Sequence, residues 1–219
     1  MIVATLTAIC ALSWETVLNP EGLAKPYGHI YLRAFKRECE MEVWAAPGQS
    51  MKYRRLAVLP IAALSGRLGP KRREGDKQVP EGLYRVVKFN PDSAYTLSMG
   101  LDYPNQSDAV RSDKTKPGGE IFIHGKAVSA GCLAMGDDGI RKLYGFCKMA
   151  VYTDDIEVHI FPTRMTEDRL QVLKPYATGE DLKLWAELKP VFTEFNRNHR
   201  MPVVTIQPDG AYKVVSFGL

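Results

Sequence analysis

IFIHGKAVSAGCLAM, residues 121–135, ends a short apolar run in His124 and reaches Cys132 after seven intervening residues. Ile121 to His124 read as the end of a buried strand, and glycines follow at Gly125 and Gly131. A thiol is an effective nucleophile only as thiolate, and a nearby imidazole can take its proton and later return it to a leaving amine. Glycine just before the cysteine permits a tight turn, so the N–H groups of Ala130, Gly131 and Cys132 can converge on one developing oxyanion. That combination predicts acyl transfer through a thioester. The plainer alternative is a buried cysteine beside a core histidine, since both residue types are common inside proteins.

The register IHG-x-x-VS-x-GC-x-AM resembles the active-site signature of the L,D-transpeptidase (YkuD-like) domains. It is most similar to the YafK-like murein L,D-transpeptidase and amidase branch. His124, Gly125, Val128, Ser129, Gly131, Cys132, Ala134 and Met135 carry the match, with Gly139 and Ile140 beyond. A second phrase, SG-x-LGPK-x-x-x-GD-x-x-x-PEG-x-Y, matches Ser65, Gly66, Leu68 to Lys71, Gly75, Asp76, Pro80 to Gly82 and Tyr84. Tyr103-Pro104-Asn105 resembles the family's GYPN turn, with Asp102 in place of glycine. The tail, with FPTRMT and a W-x-x-LKP helix, is similar as well, so the likeness runs from about Tyr31 to Val215.

The resemblance implies a mainly β fold, a YkuD-like sandwich or barrel with a helix after the nucleophile and a small C-terminal α/β extension. It implies Cys132 as nucleophile and His124 as general base and acid. The Gly125 carbonyl would orient the imidazole, with Ser129 supporting it. Lys71 and Arg72, with Tyr103 and Asn105, are candidate substrate-binding residues, because stem peptides carry carboxylates that Lys and Arg pair with. A solvated loop accounts for the basic pair equally well. The commoner transpeptidases have a second His where this chain has Ala130, and a polar residue where it has Ala134. Both departures fall in the branch that hydrolyses the bond between peptidoglycan and an attached lipoprotein at diaminopimelate. Hydrolysis is therefore expected over cross-linking or protein attachment, with a non-catalytic wall-binding module as the alternative from another class. The implied partners are peptidoglycan stem peptides and a wall-attached lipoprotein, in the periplasm.

Composition agrees with an ordinary globular chain: 219 residues, 45% apolar, 25% charged, net charge +4. No basic run interleaved with aromatics suggests nucleic acid. No apolar stretch approaches the ~20 residues that span a bilayer. The four histidines, His29, His124, His159 and His199, show no metal-ligand spacing, so neither a metal nor a cofactor is expected. Residues 2–14 have the length of a signal-peptide apolar region without its basic start, so 1–28 reads as an export signal remnant or an N-terminal arm. The catalytic domain is placed at 29–162 and the extension at 163–219. Cys39 and Cys147 could pair in an oxidising compartment, although Cys147 also falls on the apolar face of a predicted helix.

Alternation predicts strands at 29–36, 41–45, 53–59, 83–89, 95–103 and 156–161, the first with Ile30, Leu32 and Ala34 inward. His159 falls on the face away from that core. Pro47-Gly48-Gln49 reads as a turn, and 106–119 as a polar loop without a core. A helix N-capped by Asp137 or Asp138 follows the cysteine. A second helix, Gly179 to about Asn196, presents Leu182, Trp185, Leu188, Phe192 and Phe195, with Pro190 expected to kink or split it. Pro208-Asp209-Gly210 predicts a closing hairpin.

Overall fold

The computed structural model describes residues 27–47, 51–152 and 156–217. The expectations for residues 1–26, and most of the Pro47-Gly48-Gln49 turn, lie outside them. In chain order the first strands are β1 (His29–Phe35), β2 (Glu40–Ala46), β3 (Arg54–Pro60), β4 (Gly82–Asn90) and β5 (Ser98–Leu101). They are followed by α1 (Gln106–Arg111), β6 (Phe122–His124), β7 (Leu133–Ala134), α2 (Gly136–Lys148) and β8 (Glu157–Phe161). The tail holds α3 (Glu167–Leu173), α4 (Gly179–Asn198) and the hairpin β9 (Pro202–Ile206) and β10 (Tyr212–Phe217).

Eight strands make one sheet in the order β3-β2-β1-β8-β4-β5-β6-β7. The sheet curls until its edges meet. Just beyond β3, the N–H groups of Ala62 and Ala63 donate to the Ala134 carbonyl at 2.7 and 3.1 Å, and Ala134 N–H returns a bond to Ala63 at 3.2 Å. Edge meeting edge satisfies backbone groups that an open sheet would leave bare. The mainly β architecture with a helix after Cys132 is the one expected. α2 packs Ile140, Leu143 and Cys147 into the core formed by Ile30, Leu32, Met41, Val43, Leu59, Val86 and Ile123. Each such side chain contributes about 1.5–3 kcal/mol by leaving water.

β1 departs from simple alternation because both of its faces are covered. Ile30, Leu32 and Ala34 face the main core, while Phe35 joins Phe161, Trp185, Leu188 and Phe192 in a second cluster under α4. Tyr31 joins Trp44, Tyr53 and Phe195 in a third. His159 does lie on this opposite face, but it is buried there, with Tyr31 Oη 2.7 Å from Nδ1 and Glu157 3.0 Å from Nε2. The extension thus seals the outer face of the central strands.

Several local expectations are corrected. The strand placed at 95–103 shrinks to β5, since Thr96 takes a left-handed φ of +74°. The loop at 106–119 begins with α1, N-capped by Asn105, whose Oδ1 accepts from Asp108 N–H. α4 runs unbroken through Pro190. Its buried side is Leu184, Trp185, Leu188, Val191, Phe192 and Phe195, an arc centred on Leu188 that leaves Leu182 at its margin, partly in solvent. Cys39 and Cys147 are both free and buried. Cys39 follows the end of β1, whereas Cys147 lies near Ala150, which bridges to Tyr27 before the start of that strand. The seven-residue strand keeps them on the order of 20 Å apart, beyond any disulfide.

Candidate active site

β6 ends at His124, and β7 runs parallel beside it with Ile123 opposite Leu133 and His124 opposite Ala134. Cys132 is the residue before β7, so strand pairing carries the thiol and the imidazole to the same end of the sheet. Both line one open cleft of about 560 Å³, together with Lys88, Asn90, Tyr95, Glu120, Phe122 and Val128. Ser98, opposite His124 on β5, forms part of its floor.

The imidazole is buried, and its Nδ1 lies 2.6 Å from the Gly125 carbonyl. A carbonyl only accepts, so Nδ1 carries the proton and Nε2 is the basic nitrogen. Burial lowers the His124 pKa, partly offset by that hydrogen bond. Burial likewise pushes the Cys132 thiol up; Phe122 N–H and the Lys71 charge oppose this, and the Glu120 charge adds to it. The sulfur accepts from Phe122 N–H at 3.4 Å and donates to the Glu120 carbonyl at 3.7 Å. Both shifts favour the neutral thiol and neutral imidazole at rest.

The turn before Cys132 is held from a distance. Gly131 has φ +122°, a backbone that a side chain would strain. Its N–H donates to Ser65 Oγ at 2.7 Å, and Ser65 Oγ lies 3.0 Å from Ser129 Oγ. Ser129 donates to the Cys132 carbonyl at 2.7 Å. Ser129 therefore braces the loop rather than the imidazole. The Gly131 N–H expected to face an oxyanion is engaged by Ser65, which leaves Ala130 and Cys132 of the three.

The four candidate substrate residues are tied into the fold. Lys71 is buried and bonds Asp76 and the Arg73 carbonyl. Arg72 spans Asp108 and Glu180. Tyr103 Oη donates to the Pro117 carbonyl at 3.0 Å, and Asn105 caps α1 while its Nδ2 donates to the Leu83 carbonyl. None of the four lines the cleft. Lys88, Asn90 and Glu120, which no motif marks, do line it. Alternation along β4 puts Lys88 and Asn90 on one face, the only local signal for them. Among the described residues no group of three or more His, Cys, Asp or Glu side chains could hold a metal ion.

Residues 31–169 match the YkuD family, described as the L,D-transpeptidase catalytic domain. The chain is 33% identical over 189 residues to YafK of Escherichia coli K12, a protein named as an L,D-transpeptidase, covering 84% of this chain and 73% of that one. The same figures hold for YafK of Escherichia coli O157:H7. Among solved structures, the helical cell shape determining protein Pgp2 of Campylobacter jejuni shares the fold at a TM-score of 0.51 and 17% identity, over 84% of this chain and 74% of that one. Its K307A mutant gives 0.51 and 21%, over 78% of this chain and 56% of that one.

Proposed function

Because the chain belongs to the YkuD family of L,D-transpeptidase catalytic domains, we propose that it is a cysteine-dependent peptidoglycan enzyme working through a thioester at a diaminopimelate carbonyl. Family membership supports an enzyme that acts on peptidoglycan; the finer reading is ours. What carries it is the shared cleft of Cys132 and His124, with the imidazole tautomer set by the Gly125 carbonyl.

In the proposed sequence His124 Nε2 takes the thiol proton as Cys132 Sγ attacks the acyl carbon. The oxyanion forms against the N–H groups of Ala130 and Cys132. The imidazolium gives its proton to the departing amine as the C–N bond breaks, leaving a thioester. His124 then deprotonates water, which attacks the thioester carbon and restores the thiol. Hydrolysis, releasing a peptide or wall-attached lipoprotein, is preferred over transfer because Ala130 and Ala134 stand where transpeptidases of the commoner kind carry polar groups. Such work places the protein at the periplasmic face of the envelope. No helix among the described residues is long and apolar enough to cross a membrane.

Incubation with purified sacculi, followed by mass spectrometry of the released material, tests the reading. Wild-type protein should release muropeptides or attached lipoprotein, and Cys132→Ala should release none; undiminished release by the variant rejects the mechanism. Faster capture of the acyl group by an added amine than by water would favour transfer. A Cys132 that an acylating probe modifies no faster in the wild-type protein than in His124→Ala would favour a binding module.

A further inference from the structure

β4 and β5 are joined by a turn in which Thr96 holds φ +74°, a region that β-branched residues rarely enter. Lys126, two residues after the base, is also left-handed at φ +57°. One carboxylate grips both. Asp137 Oδ1 accepts from Thr96 Oγ1 at 2.6 Å and from Lys126 N–H at 2.9 Å. Between them, Gly125 N–H donates to the Tyr95 carbonyl at 3.0 Å, and the Tyr95 ring lies 4.7 Å from the imidazole, centroid to centroid. A Cβ on Gly125 would stand 2.5 Å from that carbonyl and 2.8 Å from Asp137 Oδ1, so the three segments meet without slack.

The expected helix-capping role does not explain Asp137. α2 starts at Gly136 with Met135 as N-cap, and no side chain caps it. Strained backbone persists where surrounding contacts over-determine it, and here those contacts converge on one oxygen beside the base.

We propose that Asp137 is a positioning residue for His124: through Thr96 and Lys126 it keeps the tilted Tyr95 ring against the imidazole and the Gly125 carbonyl on Nδ1, leaving Nε2 as the basic nitrogen. This rests on His124 serving as the base. The titratable groups around the imidazole are Tyr95 and Lys126 from the flanking turns, Asp137 from α2, Cys132 before β7, and Glu120 and Lys88 across the cleft.

The test is a nitrogen-15 NMR titration of the His124 imidazole in the full chain, alongside the rate of Cys132 acylation. Wild type should show the Nδ1–H tautomer alone. Asp137→Ala should mix the tautomers, move the titration up towards that of a free imidazole as the Tyr95 turn loosens, and slow kcat by about tenfold to a hundredfold with little change in KM. Asp137→Asn keeps an acceptor oxygen and should restore most of the rate. An Asp137→Ala protein with wild-type tautomer and titration overturns the proposal, as does an Asp137→Asn variant as impaired as Asp137→Ala. Should Asp137→Ala fold poorly, Thr96→Val removes one hydroxyl only, and an unchanged tautomer there overturns it equally. Tautomer control by Asp137 in a protein inert on sacculi would sink the proposed function and keep this inference.

Discussion

Ser65 Oγ stands 2.7 Å from the amide nitrogen of Gly131 and reaches it from the far side of a long loop. The same oxygen lies 3.0 Å from Ser129 Oγ. One hydroxyl thereby joins the SG-x-LGPK segment to the turn that presents Cys132. Ser65→Ala removes the nearer acceptor and leaves the glycine N–H only its longer 3.4 Å contact with Ser129 Oγ, at a cost of about 1 kcal/mol of stability. The turn should also loosen, lowering kcat roughly tenfold, equivalent to about 1.4 kcal/mol of barrier. Urea unfolding and initial rates check both, and an unchanged rate would show that Ser65 merely fills space.

The pH dependence follows from two shifts of opposite direction. Burial holds the thiol of Cys132 above its ordinary range and the imidazole of His124 below its own. His124 therefore stays neutral and basic at pH values where a free histidine, with pKa about 6.5, is protonated. Activity should persist below that value and fall only as pH drops through the lowered pKa. Stability carries the same sign: a histidine with depressed folded pKa contributes fully above its unfolded value, and that contribution is lost as pH falls through the folded one. Alkylation of Cys132 by iodoacetamide should rise only at alkaline pH, and Cys39 and Cys147, both buried, should not react. An alkylation rate already at its plateau at acid pH would reveal a resting thiolate–imidazolium pair and contradict this account.

Gly125 sits where a methyl group has no room, with the Tyr95 carbonyl and Asp137 closest. Gly125→Ala should lower stability by about 1–3 kcal/mol through overpacking and displace the imidazole. A thermal melt gives the first effect and the sacculus assay the second. A variant with wild-type melting and wild-type turnover would mean that the clash relaxes freely.

Lys88 and Glu120 are exposed, line the cleft, and neither is drawn into an ion pair among the described residues. An amine and a carboxylate flanking the scissile bond of a diamino-acid substrate would find opposite charges there. Lys88→Ala and Glu120→Ala should each raise KM about fivefold, the loss of one screened pair worth roughly 1 kcal/mol, and leave kcat near wild type. Steady-state kinetics on a soluble muropeptide decides the matter; unaltered KM in both variants would remove them from recognition.

Lys36 and Glu81 form a buried pair 3.0 Å apart, and Glu81 also accepts from Gly69 N–H and Trp185 Nε1. This pair fastens the 65–81 loop to β1 and α4. Lys36→Met alone strands a buried carboxylate, costing about 3–5 kcal/mol, whereas Lys36→Met with Glu81→Gln should cost distinctly less. Denaturant midpoints of the two variants test the ordering, and equal losses would refute it.

Alternation placed most of the large sheet's strands within a residue or two, because side chains on a half-buried strand repeat every second position. β1 shows the limit: Tyr31, Arg33 and Phe35 are covered by α4 and its neighbours, contacts made by residues more than a hundred positions away. The two-residue β7 and the short α1 went unread since neither is long enough to show a period. Pro190 misled because a helix fastened along one whole side by Trp185, Leu188 and Phe192 survives the loss of one backbone bond.

What the residues by themselves determined was a placement: a thiol and an imidazole set on adjoining strand ends by a loop of seven residues, with glycines where the chain must turn. Those are short-range properties, written into spacing and backbone freedom. Tertiary structure alone decided which amide hydrogens remain for an oxyanion once Ser65 has taken one. It also tied Lys71, Arg72, Tyr103 and Asn105 into the fold, and gave Asp137 a hold on Thr96 and Lys126 instead of on its own helix. Each of these depends on a polar group finding a partner distant in the chain, and only the folded arrangement says which partner arrives first.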